Sequence, residues 1–81
     1  MQVSVKLFSF LGQIAGTDRL TVDLIEGATV SDLLSSLSIQ FGNKLLQNGQ
    51  IVVLINQKQA FFESILNEND QVLLLPVLGG G

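Results

Sequence analysis

The residues with the clearest chemical potential in this 81-residue sequence are the last three, Gly79, Gly80 and Gly81. A terminal glycine offers an α-carboxylate, which is ionised at neutral pH and is a poor electrophile. It reacts with a nucleophile only after activation, for example as an acyl phosphate or an acyl adenylate. Because the sequence contains no nucleotide-binding glycine-rich loop, we expect a partner protein to supply this activation.

Residues 77–81 are predicted to form a flexible tail beyond a domain of residues 1–76. Pro76 cannot continue a sheet ladder, and five extended residues reach about 17 Å. Glycine lacks a Cβ, so it passes a narrow channel, and its backbone pairs readily with a strand edge. We expect the tail to enter a partner's active site, although glycine-rich ends also serve as passive spacers. The tail consists of Val77, Leu78, Gly79, Gly80 and Gly81.

The composition excludes several kinds of catalytic site. The sequence contains no cysteine, histidine or tryptophan. This removes disulfides, thiolate and imidazole metal sites, and Ser-His or Cys-His nucleophiles made within the chain. Glu63, Glu68 and Asp70 are close in sequence, but three carboxylates on a turn are typical of a solvated loop. We therefore expect no metal site and no independent enzyme.

Charge and hydropathy exclude two classes of partner. Four basic residues are scattered singly along the chain against seven acidic ones, which gives a net charge of -3. Nucleic-acid binding requires clustered basic residues, so we expect none. No stretch approaches the roughly 20 apolar residues of a membrane helix. The sequence therefore indicates a cytoplasmic protein with no membrane partner, and its length indicates one domain.

Hydrophobic periodicity predicts five strands and one helix. Alternation over residues 3–9 and 20–24 predicts an antiparallel hairpin with a long loop. A helix with Thr29 as N-cap, Asp32 in its first turn and Gly42 as left-handed C-cap carries the apolar stripe Val30, Leu33, Leu34, Leu37 and Phe41. Apolar runs at 51–55 and 72–75 predict strands buried on both faces, with a short edge strand at 60–62. This order indicates an α+β domain with one helix across a mixed sheet.

The apolar content predicts a docking surface. Hydrophobic residues make up 47% of the chain and charged residues 14%, against about 25% charged in typical domains. A domain this small cannot bury all its apolar surface, and contiguous exposed patches mark partner sites. Strand parity turns Phe8 away from Leu7, and we place the patch at Phe8, Leu75 and Pro76. The alternative is that Gln, Asn and Ser replace charges on the surface.

Four segments carry a resemblance to a known family. They are VKLFSFLGQIAG, LTVDLIEGATVSDLL, IVVLINQ and ILNENDQVLLLPVLGGG, and together they run the length of the chain. The sequence resembles the ubiquitin-like β-grasp sulfur carriers, and most closely the MoaD family of molybdopterin synthase small subunits. The resemblance implies a β-grasp fold with a mixed sheet of four to five strands and one main helix.

The resemblance also implies a mechanism and partners. In these carriers an ATP-dependent enzyme adenylates the terminal glycine, which is then converted to a thiocarboxylate. The matching residue is Gly81, and Gly80 is the other half of the diglycine. The thiocarboxylate donates sulfur to a precursor of the molybdenum cofactor held by a large catalytic subunit, in a heterotetramer. The carrier itself binds no cofactor, and ATP is used by the activating partner.

Departures from the family pattern leave alternatives open. Leu75-Pro76 replaces the double proline common in the MoaD family, and a triple glycine is more typical of thiamine-pathway sulfur carriers. The segment LFSFLGQIAG indicates the molybdopterin branch, because thiamine carriers usually have a shorter start. Other ubiquitin-like carriers and protein modifiers also stay open. Asn69 stands where the family usually has glycine, and asparagine also adopts left-handed backbone angles.

Overall fold

The computed structural model describes residues 1–42, 45 and 51–77. Its elements are β1 (Gln2–Leu7), α1 (Phe10–Ala15), β2 (Arg19–Asp23), α2 (Val30–Phe41), β3 (Ile51–Ile55), β4 (Lys58–Ala60) and β5 (Gln71–Pro76). The strands form one sheet in the order β2-β1-β5-β3-β4. β1 and β5 run parallel, and the other neighbouring pairs run antiparallel. The predicted α+β fold, with a mixed sheet and one main helix, is confirmed.

One face of the sheet packs against α2 to form the core. Side chains alternate between the two faces of a strand, and in each of the four longer strands one alternating set lies in the same buried cluster as the apolar face of α2. The buried members are Val3, Val5, Leu7, Leu11, Val22, Val30, Leu33, Leu34, Leu37, Leu45, Val53, Leu66, Val72 and Leu74. The central strand β5 is therefore held by neighbours on both edges and by the helix.

The start of α2 is fixed by a reciprocal cap. The hydroxyl of Thr29 accepts from the Asp32 N–H at 3.3 Å, and the Asp32 carboxylate accepts from the Thr29 N–H at 2.9 Å. The cap predicted from these two residues is confirmed. The prediction for Gly42 is wrong in part, because its φ of 87° is positive but its ψ of 169° is extended, outside the left-handed helical region.

A short helix occupies the segment predicted as a loop between the first two strands. α1 covers Phe10–Ala15 and ends at Gly16, which adopts the left-handed conformation with φ of 77°. The first strand accordingly ends at Leu7 instead of Ser9. Six residues including a glycine have little helical tendency of their own. Burial of Leu11 in the core stabilises α1. Sequence periodicity alone does not show this burial.

The turn between β3 and β4 is two residues shorter than predicted. Asn56 and Gln57 both have positive φ, 51° and 74°, as a two-residue type I′ turn requires. β4 therefore begins at Lys58, and the predicted edge strand over 60–62 is wrong except for Ala60. The following Phe61 and Phe62 leave the sheet and are 60% and 62% exposed.

Replacing Gln57 by glycine is expected to stabilise the domain. A side chain in the left-handed region costs about 1 to 2 kcal/mol, and glycine removes that cost while adding entropy to the unfolded chain. We expect Gln57→Gly to raise the free energy of unfolding in urea by about 0.5 to 1 kcal/mol. Asn56→Gly is the matched control and should lower it, because the Asn56 side chain bonds to Asp70 and Gln71. Equal effects of the two changes would contradict the turn geometry.

Candidate functional site

The predicted tail begins at the end of the central strand. Pro76 is the last residue of β5 and pairs with Ile51 of β3. Val77 follows and is 44% exposed. The other predicted tail residues, Leu78, Gly79, Gly80 and Gly81, lie outside the described residues. Pairing of β5 on both edges therefore fixes the position from which the tail departs.

An apolar patch covers the sheet face opposite α2. Alternation places Leu73 and Leu75 of β5 on this face, and the register sets Leu54 beside Leu73 and Val52 beside Leu75. Phe8 continues the β1 ladder, since its N–H donates to the Leu74 carbonyl at 3.1 Å. All these apolar side chains are half-buried. We call the set the sheet-face patch: Phe8, Val52, Leu54, Leu73 and Leu75.

The structure brings together two of the three predicted docking residues. Phe8 and Leu75 both lie in the sheet-face patch. Strand parity places Pro76 with Leu74 on the helix side of the sheet, where it is half-buried. The register thus separates Pro76 from the other two residues.

Three residues of the patch, Val52, Leu54 and Leu73, were missed. These residues lie in the segments IVVLI and QVLLLP, which are almost continuously apolar. This pattern predicted strands that are buried on both faces. That prediction is wrong for the outer face, because no element of residues 1–42, 45 and 51–77 covers it. Strands that are apolar on both faces, in a sheet with a predicted helix on only one face, were the signal that could have indicated a docking surface.

A second apolar region lies on the helix side, at the β4 edge. A groove of about 620 Å³ is lined by Leu34, Val53, Phe61, Phe62 and Val77 among others. It opens where β3 extends past the end of β4, since Ala60 pairs with Val53 and the chain then turns away. The exposed phenylalanines form one wall, so the apolar surface of this chain is divided between two sides of the sheet.

A hydrogen-bonded loop sets the start of β5. The buried Asp70 carboxylate accepts from the Asn56 side-chain amide at 2.9 Å and from the Asn67 N–H at 2.8 Å. Asn56 Oδ1 in turn accepts from the Gln71 N–H at 3.0 Å. Asn69 has a φ of 67°, which confirms the predicted left-handed conformation. Asp70 therefore serves the fold, because both its oxygens hold loop and turn groups in place.

The described residues offer binding surfaces. Among them, no three acidic, histidine or cysteine side chains come close enough together to hold a metal ion. Within the same ranges, no helix has the length and apolar character to cross a bilayer. What this part of the chain presents is the sheet-face patch, the groove at the β4 edge and the root of the tail.

Comparison with known proteins gives concordant matches. The sequence model of the ThiS family matches residues 5–81. The molybdopterin synthase sulfur carrier subunit of Arabidopsis thaliana is 22% identical over 81 residues, which cover 100% of this chain and 84% of that protein. SAMP1 of Haloferax volcanii, a small archaeal modifier protein, is 28% identical with a TM-score of 0.82, and the match covers 100% of both chains.

Another archaeal structure also matches. A Pyrococcus furiosus protein provisionally named molybdopterin converting factor subunit 1 is 25% identical with a TM-score of 0.85. The match covers 94% of this chain and 97% of that one. The two structural matches confirm the ubiquitin-like β-grasp fold that the sequence predicted.

Proposed function

The chain belongs to the ThiS family of ubiquitin-like sulfur carriers, and we propose from this premise that it carries sulfur on the Gly81 carboxylate for molybdopterin synthesis. The observation that carries the proposal is the point in the sheet from which the tail begins, after Pro76 of β5. The family match extends to Gly81, and β5 leads into the tail from the centre of the sheet, beside the sheet-face patch. A partner docked on that patch is well placed to receive the tail.

The proposed chemistry occurs at one carboxylate in two steps. A carboxylate oxygen of Gly81 attacks the α-phosphorus of ATP in the activating enzyme, which forms an acyl adenylate and releases pyrophosphate. Hydrosulfide then attacks the carbonyl carbon, AMP leaves with the bridging oxygen and the thiol proton is released, so that sulfur replaces one oxygen of the carboxylate. The chain contributes docking and reach, because a tail of about 17 Å without bulky side chains near its end enters a narrow site.

The proposed acceptor partner is a large catalytic subunit. It would hold the precursor to which the thiocarboxylate donates sulfur, in the heterotetramer expected from the resemblance. Two matched proteins support this proposal, because the Arabidopsis protein is named as a subunit of molybdopterin synthase and the Pyrococcus protein as subunit 1 of a converting factor. The carrier is then the sulfur-donating subunit, and catalytic groups come from its partners.

A second candidate function is protein modification. The 28% identical SAMP1 is a modifier, and its match covers both chains fully. A modifier would use the same acyl adenylate but pass Gly81 to a lysine amine, which forms an amide bond. A thiamine-pathway sulfur carrier would form the same thiocarboxylate and differ only in the acceptor of the sulfur.

Intact-mass spectrometry tests the proposal. We expect incubation with ATP, a sulfur source and a matched activating enzyme to give the mass increase for replacement of one oxygen by sulfur, located at Gly81. The activating enzyme must first be shown to act on a known carrier. An unchanged mass would then contradict the proposal, and protein adducts that survive thiol reductant would favour the modifier.

A further inference from the structure

Two of the four basic residues meet on the open sheet face. Lys6 of β1 and Arg19 of β2 are far apart in sequence but are directly opposite partners in the antiparallel register. Both alternate to the face of the sheet-face patch. Arg19 is exposed and Lys6 is half-buried. The fold therefore gathers half of its cationic side chains at one point, which the scattered sequence positions did not show.

This pairing is unfavourable for the free domain. Like charges directly opposite each other across two strands destabilise a sheet. Apart from Lys6 and Arg19 themselves, the shallow depression around the pair is lined by hydroxyl, amide and apolar residues, with no carboxylate among them; its polar members are Ser4, Thr21, Gln57 and Gln71. The Lys6 ammonium lies 5.0 Å from the centroid of the Phe8 ring. Since the lining offers no counter-charge, the pair is suited to an anionic group from outside.

The cationic pair borders the sheet-face patch. In the parallel β1–β5 register Lys6 is the partner of Leu73, which belongs to the patch, and its ammonium contacts Phe8, which belongs to it too. Arg19, Lys6, Leu73 and Leu54 thus form one row across four strands. A protein that covers the patch brings its own surface to Lys6 and Arg19 at the rim of the interface.

We infer that the activating enzyme, when it docks on the sheet-face patch, presents aspartate or glutamate carboxylates to Lys6 and Arg19; the inference rests on the proposed function. A guanidinium and an ammonium side by side bind carboxylates through charge-assisted hydrogen bonds. The chain has a net charge of -3, so an acidic partner is repelled elsewhere and attracted here. Charges at an interface rim mainly steer association and select orientation. The pair therefore orients the partner relative to the tail.

Arg19→Glu separates this role from a structural one. With the activating enzyme that passes the mass assay, we expect affinity at low salt to fall about tenfold. The thermal unfolding midpoint should instead rise by about 1 to 5 °C, because opposite charges now face each other across β1 and β2. Lys58→Glu makes the same change of charge on the edge strand β4, outside the patch, and should alter affinity less than about twofold.

Equal affinities of Arg19→Glu and Lys58→Glu for the activating enzyme would overturn the inference. The proposed function would still stand if the wild type forms the thiocarboxylate. If the wild type forms no thiocarboxylate, NMR titration of the full chain with a hexaglutamate peptide still tests whether Lys6 and Arg19 bind carboxylates. We expect amide shifts at Ser4, Lys6, Arg19 and Thr21 that a hexaglutamine peptide does not produce and Arg19→Glu abolishes. Shifts centred on Lys58, or tighter binding of inorganic phosphate at the pair, would also overturn it.

Discussion

Appending one alanine after Gly81 is expected to lower the rate of thiocarboxylate formation by at least about 100-fold. The extra residue moves the carboxylate by about 3.5 Å along an extended tail. Displacements of even 1 Å disturb the alignment of reacting atoms in an active site. The rate is measured by the appearance of the sulfur-substituted mass. The free energy of unfolding should not change, since the sheet ends at Pro76.

A variant of equal length serves as the control for this prediction. Gly79→Ser changes one residue of the tail and leaves the carboxylate at the same distance from the domain. We expect its rate to stay within a few-fold of the wild type. A normal rate in the appended protein, with the added alanine verified by mass, would rule out Gly81 as the reacting residue.

Leu74 and Leu75 are expected to give opposite results when each is replaced by alanine. Leu74 is fully buried in the core and is flanked by β1 and β3, so Leu74→Ala should lower the free energy of unfolding by about 2 to 5 kcal/mol. The adjacent Leu75 lies in the sheet-face patch, half-buried. Leu75→Ala should cost less than about 1 kcal/mol, because a smaller part of its side chain is buried. Urea unfolding of both variants measures the difference.

Partner binding should show the reverse order. Leu75 lies close to the root of the tail and near the centre of the proposed interface, where truncated side chains cost about 2 kcal/mol or more. We expect Leu75→Ala to weaken binding of the activating enzyme about 30-fold, as measured by calorimetry. Leu74→Ala should bind within a few-fold of wild type under conditions where it is folded. Similar losses of affinity in both variants would show that the outer face is not the docking surface.

Local signals accounted for the parts of the fold that could be predicted. The cap of α2 depends on Thr29 and Asp32, three residues apart. The positive φ of Asn69 occurs at a residue type that tolerates left-handed backbone angles. α1 was missed because its stability comes from Leu11 in the core. β4 was misplaced because Gln57 adopts a positive φ that its residue type does not favour.

The residues of the candidate site could be identified only from the register of the strands. Parity within β1 was sufficient to turn Phe8 outward, but its neighbours on β3 and β5 follow from pairings across the sheet. The same holds for Lys6 and Arg19, which sequence alone leaves unrelated. Burial of Phe61 and Phe62 could not be judged before the turn at Asn56 and Gln57 was known. The chemistry of Gly81 remains a prediction.

The central position of β5 determines when the sheet can form during synthesis. β1 is made first, and its parallel neighbour β5 is the last of the described elements to leave the ribosome. Closing a loop of that length is entropically costly, and non-local pairings of this kind slow folding. Until β5 arrives, β1 and β3 each expose an unpaired edge, which invites association with other chains. A chain cut before β5 therefore lacks both a complete sheet and much of the docking surface, so it cannot compete with intact carriers for their partners.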